Sequence, residues 1–174
     1  SPTYAKGYLG LGLCYRSNYN EEEMIAALTK AIELAKASDD SKTITDAQEG
    51  LAGYFVEMGK MELEDMDPID EDFSFAIEAF EKALEFYPNN PDANYQLAII
   101  NNRMGESDLA IKHGVKALEL EDVEIKIAAI NLEIGTAYYA TAELDLACEA
   151  LKKAMVGVIE DVARPKKDRI PGCE

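Results

Sequence analysis

The chain repeats one phrase four times, and this repetition limits its fold more than any other feature of the 174 residues. In each copy, Leu or Ile is followed by Gly or Ala, and an aromatic residue or Asn follows three residues later. A second half then has the form Ala-x3-bulky-x2-Ala, with Met or Gly at some of its positions. The copies are Leu11-Gly12-x2-Tyr15 with Met24-x3-Leu28-x2-Ala31, Leu51-Ala52-x2-Phe55 with Ala76-x3-Phe80-x2-Ala83, Leu97-Ala98-x2-Asn101 with Ala110-x3-Gly114-x2-Ala117, and Ile134-Gly135-x2-Tyr138 with Ala147-x3-Leu151-x2-Ala154.

This phrase resembles the tetratricopeptide repeat (TPR), a pair of antiparallel helices in which small residues mark close helix crossings and larger apolar residues fill the space between them. The resemblance implies an all-α, right-handed α-α superhelix (a TPR solenoid) of about eight helices. The Ala, Leu, Glu and Lys content and the scarcity of β-branched runs also favour helix. The implied repeats lie near residues 5–38, 45–89, 91–122 and 128–162 of a domain over residues 1–163.

The repeat spacing indicates one insertion. The small residue of the first helix precedes that of the second by 12 residues in three repeats but by 24 residues in repeat two, from Ala52 to Ala76. Asn90-Pro91 is typical of a helix start and Gly105 of a helix end, while Asp67-Pro68 indicates a break within the insertion. We expect helices near 3–18, 21–37, 43–65, 69–87, 91–104, 107–120, 123–141 and 144–162.

The insertion, within residues 60–75, is acidic. The simplest interpretation is that both helices of repeat two continue into a projecting hairpin. A functional alternative is a docking site for a basic segment, since an acidic interruption of the second repeat is similar to that of histone-chaperone TPR proteins. A calcium site is not expected, because the glycine and terminal glutamate of an EF-hand loop are missing. The acidic residues are Glu62, Glu64, Asp65, Asp67, Asp70, Glu71 and Asp72.

The net charge limits the partners. With 17 basic and 34 acidic residues the formal charge is −17, which repels nucleic acid and anionic lipid and attracts basic proteins. An acidic excess is also a common solubility trait. No apolar run approaches the roughly 20 residues of a membrane span. We therefore expect a protein or peptide partner, with no nucleic acid and no membrane partner.

The three cysteines, Cys14, Cys148 and Cys173, are odd in number and scattered. With a single histidine to assist them, they predict neither a zinc site nor a disulfide framework, and so favour a reducing, cytoplasmic compartment. The chain begins Ser-Pro-Thr without Met, so we expect a piece of a longer protein, from which a signal or anchor could be missing.

No catalytic constellation is present in the sequence. His113 is the single histidine, which excludes an H-E-x-x-H site, and no recognisable nucleophile accompanies it. The glycines at 7, 10 and 12 lie inside a predicted helix, where a phosphate-binding loop is implausible. We predict a non-enzymatic protein without cofactor or metal, in which His113 is a surface or inter-helix residue.

The resemblance also implies a binding site, because TPR stacks generally bind partners in the concave groove lined by the first helix of each repeat. The alternative is that these positions are ordinary solvated helix surface. The implied groove residues are Lys6, Leu9, Gly10, Leu13 and Arg16; Asp46, Glu49, Gly50, Gly53 and Glu57; Asp92, Tyr95, Gln96, Ile99, Asn102 and Arg103; and Leu132, Glu133, Thr136, Tyr139 and Ala140. Tyr95, Tyr139, Arg16 and Arg103 are the expected anchors.

One subtype of TPR protein can be tested on the sequence. Co-chaperones that hold the acidic tails of heat-shock chaperones use a clamp of Lys, Asn and Arg residues. The matching positions here are Leu9, Leu13, Gly50, Asp92 and Gln96, none of which is cationic. That function is therefore not carried over.

The C-terminal end changes character. Residues 164–174 hold four basic and two acidic residues, and we expect a flexible basic tail or linker. The last predicted helix has a long apolar stripe, which such a tail cannot cover, so it should meet a second copy, a partner or further sequence. The stripe consists of Ala147, Leu151, Ala154, Met155, Val158 and Val162.

Together these features predict an adaptor or scaffold that binds a partner peptide in the concave groove. Two alternatives remain at this stage: a chaperone or assembly factor for a basic client, and a self-assembling structural scaffold that forms a homo-oligomer through its uncapped last repeat. A regulatory domain attached to an enzyme is a further class.

Overall fold

A computed structural model describes residues 2–66 and 72–174, and over these residues the chain is built from nine α-helices and no strand. This confirms the predicted all-α fold. No helix in the described ranges combines the length and apolarity needed to cross a bilayer. The helices are α1 (Pro2–Ser17), α2 (Glu21–Lys36), α3 (Ser41–Asp65), α4 (Ser74–Phe86), α5 (Pro91–Met104), α6 (Ser107–Leu118), α7 (Glu124–Ala140), α8 (Leu144–Lys153) and α9 (Glu160–Lys167).

Local chemistry sets several helix ends. The Asn90 side-chain oxygen accepts a hydrogen bond from the Ala93 N–H at 2.8 Å, and Pro91 is the first residue of α5. Gly105, with φ 80°, ends the same helix in the left-handed conformation that glycine adopts without a steric penalty. The predicted bounds of α5 are therefore confirmed.

The chain divides into two compact units, Ser1–Pro88 and Asn89–Glu174. In the first unit, α1 packs on α2 and α3 packs on α4, while α3 also contacts both helices of the first hairpin. Apolar side chains fill the space between these helices, and the Phe55 ring stacks on Phe86 with centroids 5.6 Å apart. The largest buried side chains here are Met24, Leu28, Leu51 and Phe80.

The second unit repeats this arrangement. Helix α5 packs on α6 and α7 on α8, while α7 also contacts α5 and α6. A Cβ atom added to Gly135 on α7 would lie 2.8 Å from Leu151 Cγ on α8, so this crossing requires glycine. The predicted role of small residues at helix crossings is confirmed here. A buried cluster of Ala117, Ile130, Ile134 and Ala150 joins α6, α7 and α8.

The acidic insertion differs from its prediction on one side. Helix α3 continues to Asp65 as predicted, but α4 begins at Ser74 and not near residue 69. The carboxylate of Asp72 accepts a hydrogen bond from the Ser74 N–H at 2.9 Å, which satisfies a backbone donor at the start of α4 and favours a start there. Three of the predicted acidic residues, Asp67, Asp70 and Glu71, lie outside the described residues.

The C-terminal end also departs from its prediction. Helix α8 stops at Lys153, and Gly157 adopts a positive φ of 52° at the start of the short 3-10 turn Gly157–Ile159. Helix α9 then packs back on α8. The expected flexible tail over residues 164–174 is therefore wrong, because α9 continues to Lys167, and Ile170 and Cys173 are buried.

This return of the chain covers the apolar stripe of α8. Ala163, Ile170 and Cys173 are buried in one cluster with Ala147, Leu151 and Ala154. The expectation of an uncapped last repeat is wrong for these residues, although Val158 and Val162 stay 75% and 52% exposed. The argument for a homo-oligomer through that stripe loses its basis.

The same return pairs two cysteines. Cys148 on α8 and Cys173 form a disulfide across Cα atoms 5.6 Å apart, while Cys14 is free and exposed. The odd cysteine count predicted no disulfide, and this expectation is wrong. Count and spacing gave no sign that a residue 25 positions later would be folded onto α8. The expectation of a reducing compartment loses its basis with it.

Candidate functional site

The predicted groove residues of the first unit lie on α1 and α3 and already interact with each other. The Arg16 guanidinium forms an ion pair with the Glu57 carboxylate at 3.2 Å. It lies over Gly53, where an added Cβ atom would be 3.2 Å from both terminal guanidinium nitrogens. The Leu13 side chain lies over Gly50, on the same helix as Gly53, where an added Cβ atom would be 3.1 Å from Leu13 Cδ2. Arg16, a predicted anchor for a partner, is thus paired with a residue of its own chain, and this ion pair lies at the surface.

The second unit holds a cleft of about 340 Å³ with walls from three helices. Six of the lining residues are among those that the sequence predicted, and two on α9 are not. The lining consists of Ile99, Asn102 and Arg103 from α5, Leu132, Glu133 and Thr136 from α7, and Val162 and Lys166 from α9.

Hydrogen bonds fix the polar side chains at the centre of this cleft, which we call the α5–α7–α9 cleft. The Asn102 amide nitrogen donates to the Glu133 carbonyl at 3.0 Å and to the Glu133 carboxylate at 2.8 Å. The Thr136 hydroxyl donates to the Leu132 carbonyl at 2.8 Å. Asn102 on α5 therefore positions the Glu133 carboxylate on α7, the one carboxylate among the lining residues. The lining also contains the cations Arg103 and Lys166.

The cleft has a different charge from the rest of the chain. Its lining contains two cations and one carboxylate, within a protein of net charge −17. The surrounding unit, residues 89–174, has 15 acidic and 10 basic residues, whereas residues 1–88 have 19 acidic and seven basic residues. The negative charge is therefore concentrated in the first unit.

The two predicted tyrosine anchors lie in different surroundings. Tyr139 is 44% exposed and lines a small cavity of about 60 Å³ together with Thr136, Lys166 and Arg169, so Lys166 lines both this cavity and the cleft. Tyr95 is half-buried against the cluster that contains Ile130 and Ile134. Burial, and secondly the nearby Glu133 carboxylate, raises the pKa of Tyr95. Tyr95 thus contributes to packing, and Tyr139 remains available to a partner.

Sequence reasoning missed the contribution of α9. Val162, Lys166 and Arg169 lie in or beside the segment taken as a tail, because no repeat residue recurs there. Two signals were present in the sequence: the apolar pair Ala163 and Ile170, which is buried on α8, and the second cysteine of the disulfide. Neither belongs to the repeat phrase.

A second cavity, of about 180 Å³, lies in the first unit. Its walls are apolar at Phe55, Met58 and Phe75 and acidic at the three glutamates Glu21, Glu62 and Glu78. The Lys82 ammonium group lies 5.4 Å from the centroid of the Phe55 ring and 3.7 Å from the Glu78 carboxylate. We call this cavity the acidic pocket; it already accommodates one cation of the chain.

His113 is an inter-helix residue, which confirms its prediction. Its Nδ1 lies 3.1 Å from the Asn94 side-chain oxygen, so α6 is joined to α5 at this point. The Asn94 amide nitrogen donates to the Asn90 carbonyl, which leaves the oxygen facing His113 and assigns the hydrogen to Nδ1. Burial, and secondly the charge of Lys112, lowers the pKa of His113.

One face of α1 is apolar and exposed. Tyr4, Tyr8 and Leu11 are 69%, 36% and 44% exposed and line a cavity of about 400 Å³ with Gly7. Leu11 occupies the repeat position of Leu51, Leu97 and Ile134, which are buried in the later repeats. Within the described residues, this face is open.

The chain matches known proteins at the level of the repeat and of the fold. A family model of the tetratricopeptide repeat matches residues 5–38, and another matches residues 79–112. The fold is similar to a crystal structure of MamA protein, with 23% identity, a TM-score of 0.50, and coverage of 98% of this chain and 97% of that chain. A second crystal structure of MamA gives 24% identity, a TM-score of 0.51, and coverage of 91% and 97%. None of the curated protein sequences compared with the chain matches it.

Proposed function

Because the chain is a tetratricopeptide-repeat protein, and therefore a protein-interaction or scaffold module, we propose that it acts without catalysis by binding a segment of a partner protein in the α5–α7–α9 cleft. The fold alone does not select a partner. The observation that carries the proposal is the cleft itself, in which apolar side chains and two cations converge from three helices.

The lining defines the chemistry of the segment. Ile99, Leu132 and Val162 offer apolar contact, and a partner's apolar side chain would lose water-exposed surface there. Lys166 favours a carboxylate beside it, because a Lys ammonium group forms charge-assisted hydrogen bonds with carboxylates. The cleft therefore suits an apolar residue adjacent to an acidic residue.

Fluorescence anisotropy tests this proposal with a defined probe, a fluorescein-labelled 12-residue peptide that contains Leu–Glu pairs separated by Gly and Ser. We expect a Kd below about 100 μM, or roughly −5.5 kcal/mol. Ile99→Asp should weaken binding at least about tenfold, because it places a carboxylate on the apolar wall. Val115→Asp on α6, which puts the same carboxylate on an exposed apolar residue outside the cleft lining, is the control and should leave binding unchanged. Equal affinity for both variants would refute the cleft as the site.

The acidic pocket supports a second candidate function, binding of a basic client segment. The Phe55 ring and the Glu78 carboxylate already receive the Lys82 ammonium group, and a partner's Lys or Arg could take that place. The first unit also carries most of the negative charge of the chain. This candidate predicts a basic partner segment, whereas the α5–α7–α9 cleft predicts an acidic one.

The two candidates are separated by a second peptide, in which Lys replaces each Glu. If the acidic pocket binds it, the double change Glu62→Lys with Glu78→Lys should abolish binding, and added salt should weaken it because the attraction is largely electrostatic. Ile99→Asp should have no effect on this peptide. Binding that survives the double change would remove the second candidate.

A further inference from the structure

We infer that α9 is a redox-latched wall of the α5–α7–α9 cleft: the Cys148–Cys173 disulfide holds α9 where Val162 and Lys166 complete the binding surface, and reduction of the disulfide releases them. This inference rests on the proposed function of the cleft. It adds a means by which the chain gains or loses affinity for its partner.

The position of α9 depends on few contacts. Ala163 is its buried apolar residue, and Ile170 follows it; both lie in a buried cluster with Leu151 of α8 and Leu132 of α7. Helix α9 has eight residues, a length at which a helix in water is marginal without tertiary support. The Lys167 ammonium group also donates to the Cys173 carbonyl at 3.0 Å, so the segment after α9 is tied to it.

The disulfide is placed to hold this segment. Cys173 follows α9 and Cys148 lies on α8, so the covalent bond closes a loop that contains the whole of α9. Such a link acts mainly by restricting the detached states of the loop. With the link broken, the segment from Gly157 onward is held by non-covalent contacts alone: Ala163 and Ile170 in the buried cluster, and the turn Gly157–Ile159 on α7.

Release of α9 would remove one wall of the cleft and leave the other two. The α5 and α7 walls are joined by the hydrogen bonds between Asn102 and Glu133, which do not involve α9. Val162 and the Lys166 ammonium group, which favours a carboxylate, would leave the cleft. A partner would then meet a shallower and less positive surface.

The chemical step is thiol–disulfide exchange with a dithiol reductant. A thiolate of the dithiol attacks one sulfur of the pair, forms a mixed disulfide and expels the other cysteine as a thiolate, which takes up a proton. The second thiol of the reductant then displaces the remaining cysteine. The protein disulfide gains two electrons and two protons, and the dithiol is oxidised to a disulfide. Cys148 is half-buried and Cys173 buried, so Cys148 offers the more accessible sulfur.

The latch is tested first without any ligand, by limited trypsin digestion of the full chain with and without dithiothreitol. The bonds after Lys166, Lys167 and Arg169 lie in or beside α9. We expect the oxidised chain to be cut there at least tenfold more slowly than the reduced chain, while cleavage after Lys36 on α2 serves as the internal reference. Cys14→Ser is the matched control and should behave as the parent, and Cys173→Ser should be cut as fast as the reduced chain.

The effect of the latch on partner binding is tested with the Leu–Glu peptide of the anisotropy experiment. The oxidised chain should bind it at least about tenfold more tightly than the reduced chain or Cys173→Ser. In the oxidised chain, Lys166→Glu should weaken binding by a similar factor while the slow digestion after Lys167 and Arg169 is kept.

The outcomes separate the two proposals. Equal digestion in both redox states overturns the latch. Redox-dependent digestion with equal peptide affinity overturns the role of α9 in binding and leaves the cleft standing. If neither redox form binds the peptide, the proposed function and the role of α9 in binding are refuted together, even where digestion shows that the latch exists.

Discussion

At the scale of single residues, close helix packing decides where glycine is required. A Cβ atom on Gly12 would lie 2.5 Å from two side-chain carbons of Leu28 and 3.2 Å from its backbone nitrogen. Gly10 is in the same helix and would meet no atom within 4 Å. Gly12 belongs to the repeat phrase and needs a small residue, whereas Gly10 lies outside the phrase and its position accepts a larger residue.

This difference predicts opposite effects for one substitution. Gly12→Ala should lower the free energy of unfolding by about 1–3 kcal/mol, because the added methyl overpacks the crossing with Leu28. Gly10→Ala should raise it by up to about 1 kcal/mol, because alanine favours helix and meets no neighbour. Urea denaturation followed by circular dichroism measures both, and two changes of the same sign would contradict the packing argument.

His113 gives a second prediction at this scale, on pH. Its pKa is lowered in the folded chain from the ordinary value of 6.5, so the unfolded chain binds the proton more readily. The stability that the neutral imidazole contributes is therefore complete above pH 6.5 and is lost as the pH falls below 6.5 through the folded pKa. In His113→Gln the free energy of unfolding should lack this fall, and identical pH profiles of the two proteins would contradict the assignment.

At the scale of elements, the turns inside three of the hairpins share one conformation but not one residue. Tyr19, Gly105 and Ala142 each lie two residues before the next helix, and their φ angles are 55°, 80° and 62°. A positive φ costs a residue with a Cβ atom about 1–2 kcal/mol. Of these three turns, the one between α5 and α6 has glycine, Gly105, and avoids this cost.

The turns therefore predict a matched pair of substitutions. Ala142→Gly should stabilise the chain by up to about 1 kcal/mol, since glycine adopts the positive φ freely, and Gly105→Ala should destabilise it by a similar amount. Thermal unfolding compares the two with the parent. A lower melting temperature for Ala142→Gly would show that the strain is absent.

At the scale of the whole molecule, the last hairpin is closed by the chain's own C-terminal segment. A repeat leaves one apolar side for its neighbour to cover, and here Ala163, Ile170 and Cys173 cover that of α8. The segment that looked like a linker is a structural cap.

Removal of this cap should make the chain self-associate. A chain that ends at Val156 would expose Ala147, Leu151 and Ala154, which are all fully buried in the parent. Light scattering over about a hundredfold range of concentration should show a mass that rises more steeply than in the full chain. The variant that also carries Ala154→Lys should lose this increase, and a truncated chain with the parent's behaviour would refute the capping role.

The candidate site could be predicted only in part, for a reason visible in individual residues. Ile99, Asn102, Leu132 and Thr136 follow the repeat register on α5 and α7, and in the structure they line one cleft; that this cleft binds a partner stays a prediction. The register does not reveal what each side chain contacts. Arg16 meets Glu57 and Tyr95 packs into a core cluster, and both contacts depend on the neighbouring helix.

The sequence alone determined the helical hairpins, because the spacing of small and large residues, the Asn90-Pro91 start and the Gly105 end are local instructions. The tertiary structure alone decided the fate of the C-terminal segment. Residues after Val156 carry no repeat pattern, and their position follows from burial of Ala163 and Ile170 on α8 and from the pairing of Cys173 with Cys148. Such contacts join residues far apart in the chain, and their energy is set by surfaces that exist only once the hairpins have formed.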